Sequence, residues 1–320
     1  MAILVAIAAV SSRPQSANSA QTIAQANQLL QSGEADKALA LLSSLPQGGS
    51  NIAEAQILSC HVHYALQQWD EAVSECEQAV HLDGQNSTYH MWLGRAVGLK
   101  ASHVTFLSAY SLGKRVVAEF EQAVKLNPHS AEALMDLGEF YKQAPGMVGG
   151  GLDKAENIAA QLDKIDSARG HQLHGRIAED RSDYSTAETE YKQAIAAAAH
   201  PALYWTTLAS FYRARKRWTD MESAIQSCEG TAQRDKHSAV ALYDGAGVLI
   251  DAKRDPGTAA RLLEEYLASP NKTEEGPAFE AHVRLAKMQK QLGDTSRAQQ
   301  EIAAALALAH DYKPALEAKY

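Results

Sequence analysis

A glycine-rich stretch, residues 146–154 (GMVGGGLDK), is the segment whose composition comes nearest to a phosphate-binding loop. A nucleotide phosphate loop needs Gly-Lys-Ser/Thr at the start of a helix that follows a strand. Here Asp153 precedes Lys154, no Ser or Thr follows it, and the preceding segment has helical periodicity. The stretch therefore predicts an ordered loop whose glycines adopt positive φ angles, and a candidate contact point for a partner, rather than a nucleotide site.

Twelve histidines raise the question of a metal site. His61 and His63 are two positions apart and lie on different faces of a helix, whereas His171 and His174 are three apart and share a face. No carboxylate completes a His-Glu-x-x-His pattern, no Gly-x-Ser-x-Gly elbow is present, and no cysteine has a catalytic context. We therefore expect a non-enzymatic protein without a metal or cofactor.

The composition is that of an ordinary folded protein. The 320 residues are 46% hydrophobic and 21% charged, and the net charge is -8. A broad basic face for nucleic acid is not expected from this balance. No apolar run reaches the roughly 18 residues that a transmembrane helix needs.

The N-terminus has some features of a secretory signal. Residues 2–10 (AILVAIAAV) form an apolar run, and the small residues 17–20 (ANSA) follow it. No Lys or Arg precedes the run, and Arg13 comes after it, which departs from the usual signal pattern. We interpret residues 1–18 as a signal peptide or a leading segment, and favour a periplasmic or secreted protein over a cytoplasmic one.

The stretch 120–141 (FEQAVKLNPHSAEALMDLGEFY) sets the architecture. Apolar residues at helical spacing give one helix, and Pro128 prevents it from continuing because proline lacks a backbone N–H. Ser130 can cap a second helix, whose buried face would include Leu137, Gly138 and Tyr141. Two helices joined by a short turn are therefore predicted.

This unit recurs along the chain and resembles the tetratricopeptide repeat, W-x2-L-G-x2-Y…A-x3-F…P, with its period of 34 residues. Leu93-Gly94 is a direct Leu-Gly match in a unit that ends with Phe120, Ala123 and Pro128, and Leu137-Gly138 recurs in the next unit. The resemblance, to a bacterial tetratricopeptide protein, implies an all-α, right-handed α-solenoid of about eight units and a capping helix at 311–320. The expected units lie near 19–50, 53–84, 87–128, 131–166, 168–200, 202–230, 240–270 and 279–310.

The resemblance also implies that the first helices line a concave wall that binds peptides. The repeat register places Ile57 and Met91 on that wall, together with the candidate peptide-binding residues Tyr64, Arg95, Glu139, Lys142, Arg176 and Arg213. The Arg residues could meet a carboxylate-bearing peptide, but neighbouring acidic residues favour a solvated wall of mixed charge. The Lys and the second Asn of the clamp that holds acidic chaperone tails are missing, so that activity is not expected.

In the same register, Cys60 and Cys76 face one seam between two helices of a unit. Two buried thiols and a disulfide are both compatible with this placement, and the disulfide requires export. Cys228 would stay free.

We expect a scaffold that binds an unidentified protein or peptide in its groove. The alternative is an accessory component of an envelope assembly that acts through its outer face or termini.

Overall fold

The computed structural model of the chain describes residues 13–46 and 51–318, and this part of the chain contains α-helices and short 3-10 turns but no strands. The predicted leading segment spans residues 1–18, of which residues 1–12 lie outside the described part of the chain. In chain order the helices are α1 Arg13–Ser32, α2 Ala35–Ser43, α3 Ile52–Ala65, α4 Trp69–Leu82, α5 Ser87–Ala101, α6 Phe106–Leu126, α7 Ala131–Gln143, α8 Leu152–Leu162, α9 Ser167–Asp180, α10 Tyr184–Ala197, α11 Ala202–Ala214, α12 Trp218–Ala232, α13 Val240–Ala252, α14 Pro256–Ala268, α15 Ala278–Gln291, α16 Thr295–Leu308 and α17 Lys313–Leu316.

The turn between α6 and α7 shows how local sequence sets the hairpins. Helix α6 ends at Leu126, and the Ser130 hydroxyl accepts a hydrogen bond from the Ala133 N–H (3.2 Å) at the start of α7. Gly138 is buried on the face of α7 that packs against its neighbours, and a Cβ there would lie 2.4 Å from Leu173 Cδ2. Glycine therefore permits a close approach that a larger residue would overpack.

The helices pack in adjacent antiparallel pairs, and each pair packs on the next. The apolar core divides into three clusters along the chain, as expected for stacked units that each contact their neighbours. The predicted all-α solenoid is confirmed. The bounds of the individual units stay predictions.

Two irregular segments of the sequence pack on each other. Helix α6 is 21 residues long, and the 3-10 turn Gly146–Val148 in the glycine-rich loop lies against it. Val148 is buried there, close to Gly113 of α6. Gly149 has φ of 107°, and a Cβ on Gly150 would lie 1.7 Å from the Ala144 carbonyl oxygen, so the loop needs glycine at these positions.

The two ends of the solenoid meet. The third core cluster joins α1 and α2 to α15, α16 and α17, with Ile23, Leu30, Phe279 and Tyr312 among its buried members. At the end of α3, Gln67 Nε2 donates to the Tyr312 hydroxyl (3.4 Å). The row of hairpins is therefore closed on itself, which the repeat pattern alone did not predict.

Polar contacts reinforce this closure. His310 Nδ1 lies 2.9 Å from Asp36 Oδ1, and the His310 backbone N–H donates to Asp36 Oδ2 (3.0 Å). Gln68 Nε2 donates to Asp311 Oδ2 (2.6 Å). The terminal segment predicted as a capping helix thus includes the short helix α17, which begins just after the buried Tyr312.

The closure predicts that alanine variants of two turn glycines differ in stability. Gly33 and Gly293 both have positive φ, at 79° and 88°, so alanine is strained at either position. A Cβ on Gly33 would also lie 2.5 Å from the Ala278 backbone nitrogen across the closure, whereas a Cβ on Gly293 has no such neighbour within 4 Å. We expect Gly33→Ala to lower the free energy of unfolding by about 1–3 kcal/mol more than Gly293→Ala, measured by denaturant titration.

The Gly293→Ala protein is the control for backbone strain. Equal losses in the two variants would contradict the closure.

Candidate functional site: the inner wall

The first helices of successive hairpins present their side chains to the inside of the closed solenoid. A cavity of about 820 Å³ is lined mainly by α7, α9, α11 and α13. A second cavity, of about 620 Å³, is lined mainly by α3, α5, α7 and the segment before α15, and a third, of about 440 Å³, mainly by α5, α6 and α7. Asp136 borders all three, so they form one inner surface.

Ion pairs connect neighbouring first helices along this surface. Arg95 Nε donates to Asp136 Oδ2 (2.6 Å), and Arg95 Nη2 lies 2.8 Å from Glu132 Oε1. Arg176 Nη1 lies 2.8 Å from Glu139 Oε1 in the same way. Each pair joins one repeat to the next, so these charges already have partners within the fold.

Two more pairs follow the same pattern. Lys142 Nζ lies 3.3 Å from Asp180 Oδ2, and Arg213 Nη2 lies 3.7 Å from Asp251 Oδ2. The Arg residues of the wall are therefore not a free basic patch, and the mixed-charge wall considered from the sequence describes the geometry better.

The candidate peptide-binding residues divide into two groups. Tyr64 and Arg95 line the 620 Å³ cavity, while Glu139, Lys142 and Arg176 line the 820 Å³ cavity. Arg213 is not among the residues that line the described cavities. Their role in binding peptide stays a prediction.

The register was wrong for two other positions on the wall. Ile57 and Met91 are 5% and 2% exposed and belong to the core cluster of the first half of the chain. Neither residue lines one of the three cavities, and an apolar side chain is more stable in the core than in contact with solvent.

Trp92, beside Arg95 on α5, forms a rigid part of the wall. His61 stacks on its ring with centroids 3.6 Å apart, and the Arg95 guanidinium lies 4.8 Å from the ring centroid. His61 Nδ1 is also 3.0 Å from Glu274 Oε2, on the other side of the closure. The closure contact and the wall therefore share His61.

Asp244 on α13 is a wall residue that the sequence reasoning missed. It lines the 820 Å³ cavity, and it is largely buried although part of its surface still reaches solvent. Burial raises the pKa of its carboxyl to about 6; Arg284 opposes this rise, and Glu275 and Glu280 add to it. The sequence signal that could have indicated Asp244 is its position one helical turn before Gly247.

The cysteines have separate environments. Cys60 Sγ and Cys76 Sγ are bonded (2.05 Å) across the seam between α3 and α4. Cys228 is buried, its Sγ donates to the Ala241 carbonyl oxygen (3.3 Å), and burial raises its pKa to about 12. A thiol with this pKa is a poor nucleophile at neutral pH.

His171 and His174, which share a helix face, contact different carboxylates. His171 Nδ1 lies 2.8 Å from Glu190 Oε2, whereas His174 lies between Glu156 Oε2 (3.1 Å from Nδ1) and Asp163 Oδ2 (3.2 Å from Nε2). In the described residues one group, Asp36, His310 and Asp311, brings three ligand atoms within 4.8 Å of one another. Its hydrogen bonds serve the closure, and we assign it no metal.

None of the helices in the described part of the chain has both the length and the apolarity that crossing a bilayer requires.

The Cys60–Cys76 bond predicts a thiol count. Protein purified without reductant and alkylated under denaturing conditions should carry one label, on Cys228, and three after reduction. Mass spectrometry gives the number directly. Three labels without reduction would mean that the seam holds two thiols instead.

Asp244 predicts a pH-dependent difference in stability. Its folded pKa lies above the ordinary value of 3.8, so the folded chain binds this proton more tightly and loses stability as pH rises from about 4 through 6. Asp244→Asn avoids that loss. We expect the variant to exceed the parent in free energy of unfolding by on the order of 2 kcal/mol at about pH 7.5.

The advantage of Asp244→Asn should vanish near pH 4, and denaturant titrations at the two pH values measure it. Other titrating groups are common to both proteins and cancel in the difference. A variant that is less stable than the parent at about pH 7.5 would contradict the assignment.

Comparison with known proteins supports the fold. No protein-family model and no curated protein matches the sequence. Among solved structures, the chain is similar to TTC0263, a thermophilic TPR protein in Thermus thermophilus. The identity is 17% and the TM-score 0.51, and the match covers 60% of this chain and 98% of that one. At this identity the likeness shows the fold alone, so the chain resembles the tetratricopeptide-repeat superfamily in architecture.

Proposed function

We propose that this chain is a non-enzymatic scaffold that holds an extended segment of a partner protein inside its closed solenoid. The tetratricopeptide fold suggests a protein-interaction scaffold in general. The observation that carries the proposal is the 820 Å³ cavity, whose wall is built by consecutive first helices.

The wall offers the mixture of contacts that a peptide site needs. Met135, Leu203 and Tyr204 give apolar and aromatic surface, while Gln172 and Ser210 give hydrogen-bonding groups. Because these side chains are mounted on helices that are fixed by the core, a bound segment meets a preorganised surface.

The cellular compartment in which the protein acts is part of the proposal. The Cys60–Cys76 bond favours an oxidising compartment, as does the apolar run at 2–10, so we favour a periplasmic or secreted protein over a cytoplasmic one. An accessory role in an envelope assembly through the termini has less support, because the helices near both described ends are packed against each other.

Blocking the cavity tests the proposal. Ser210 is partly exposed and lines the 820 Å³ cavity, so Ser210→Trp would fill part of it. Peptides selected from a displayed random library on the parent should bind Ser210→Trp at least about tenfold more weakly, measured by fluorescence anisotropy.

The matched control is Thr189→Trp, which places the same side chain on an exposed position of α10 away from the cavities. Both variants are first compared with the parent by thermal melting. If the selected peptides bind all three proteins equally, the cavity is not the binding surface and the proposal fails.

A further inference from the structure

We propose that the inner surface selects a partner segment that carries Lys or Arg side chains. This inference rests on the proposed function and adds the chemistry of the occupant. It reverses the hypothesis, considered from the sequence, that the wall meets a carboxylate-bearing peptide.

The charged residues that line the three cavities are predominantly acidic. Nine carboxylates belong to the lining: Glu132, Asp136, Glu139, Glu179, Asp244, Asp251, Glu274, Glu275 and Glu280. Five basic side chains face them: Arg95, Lys142, Arg169, Arg176 and Arg284. Arg213 and Arg215, which do not line the cavities, pair with Asp251 and Glu179, so the remaining excess of acid lies where the segment before α15 meets α13 and α3.

The basic side chains are already in use. Besides the pairs that join neighbouring helices, Arg284 Nη2 donates to Glu280 Oε1 (2.6 Å), and Arg169 Nε lies 3.3 Å from Asp166 Oδ2. An anionic segment would have to separate such pairs to reach a cation, and it would leave buried carboxylates without partners.

Two carboxylates of the cavity lining form no ion pair with a Lys or Arg side chain. Among the described residues, no Lys or Arg nitrogen lies within 4.0 Å of a carboxylate oxygen of Asp244 or Glu275. Asp244 is largely buried in the wall of the 820 Å³ cavity. Glu275 is exposed at the 620 Å³ cavity, near enough to act on Asp244 electrostatically. Asp244 is attracted by Arg284 but has no close ion pair, which is costly for a largely buried carboxylate, and an ammonium or guanidinium group entering the cavity would supply one.

The wall already holds one guanidinium in the manner expected of such a ligand. Arg95 lies over the Trp92 ring and is held by Asp136 and Glu132. Tyr64 stands edge-on to the same ring, with centroids 5.5 Å apart. An aromatic wall with carboxylates around it is the environment in which arginine side chains are favoured.

The test uses three fluorescein-labelled peptides of equal length on a Gly/Ser background, with four Arg, four Glu or no charged residues. We expect the Arg peptide to bind the parent most tightly. The double variant Asp244→Asn/Glu275→Gln should weaken that binding by about tenfold or more, measured by fluorescence anisotropy at physiological salt.

The control is Glu71→Gln/Asp153→Asn, which removes the same two charges from exposed positions outside the cavities. It should change the affinity by less than about twofold, because exposed charges beyond a Debye length are screened. Equal losses in the two double variants would mean attraction by net charge alone and would overturn the inference.

The outcomes also separate this inference from the proposed function. Library peptides that depend on Ser210 but are acidic or uncharged would leave the scaffold intact and refute the preference for a cation. If no peptide of any charge depends on Ser210, the scaffold function itself fails.

Discussion

The contact between the first and last hairpins is the constraint on which the rest of the structure depends. A row of stacked hairpins has an apolar face at each end, and solenoids need polar caps to cover these faces. Here each end covers the other, and Leu30, Phe279 and Tyr312 are 1–3% exposed in the shared cluster. Fully burying side chains of this size stabilises a fold by about 1.5–3 kcal/mol each, so the seam is a substantial part of the stability.

The closure also defines the inner surface. Because the segment before α15 returns to α3, Glu274 reaches His61, and Glu275 and Glu280 join Trp92 and Arg95 around one cavity. An open row of hairpins would leave these groups on separate faces. The ion pairs between neighbouring first helices then set the spacing of the wall, since each one joins two consecutive units.

The fold could be predicted from the sequence because its determinants are local. Pro128 and Ser130 mark a turn, and Gly138 marks a close approach of helices, both to Ile158 in its own repeat and to Leu173 in the next. The closure could not be predicted, because it depends on small rotations that accumulate over the whole row of units. The ion pairs of the wall residues could not be predicted either, since Asp136, which pairs with Arg95, lies 41 positions later in the sequence. Asp244 was missed for a related reason, because the groups that act on its carboxyl, Arg284, Glu275 and Glu280, are more than 30 positions away in the sequence.

The most direct test of the account is the distance between the two ends of the solenoid in solution. Lys37 and Lys313 are exposed and adjoin Asp36, which contacts His310, and Tyr312, which contacts Gln67, so cysteines at these positions can carry spin labels on either side of the closure. Double electron–electron resonance should give a single short, narrow distance, as for residues on either side of one interface. A long or broad distribution, as an open solenoid would give, would contradict the closed arrangement and the inner surface that it creates.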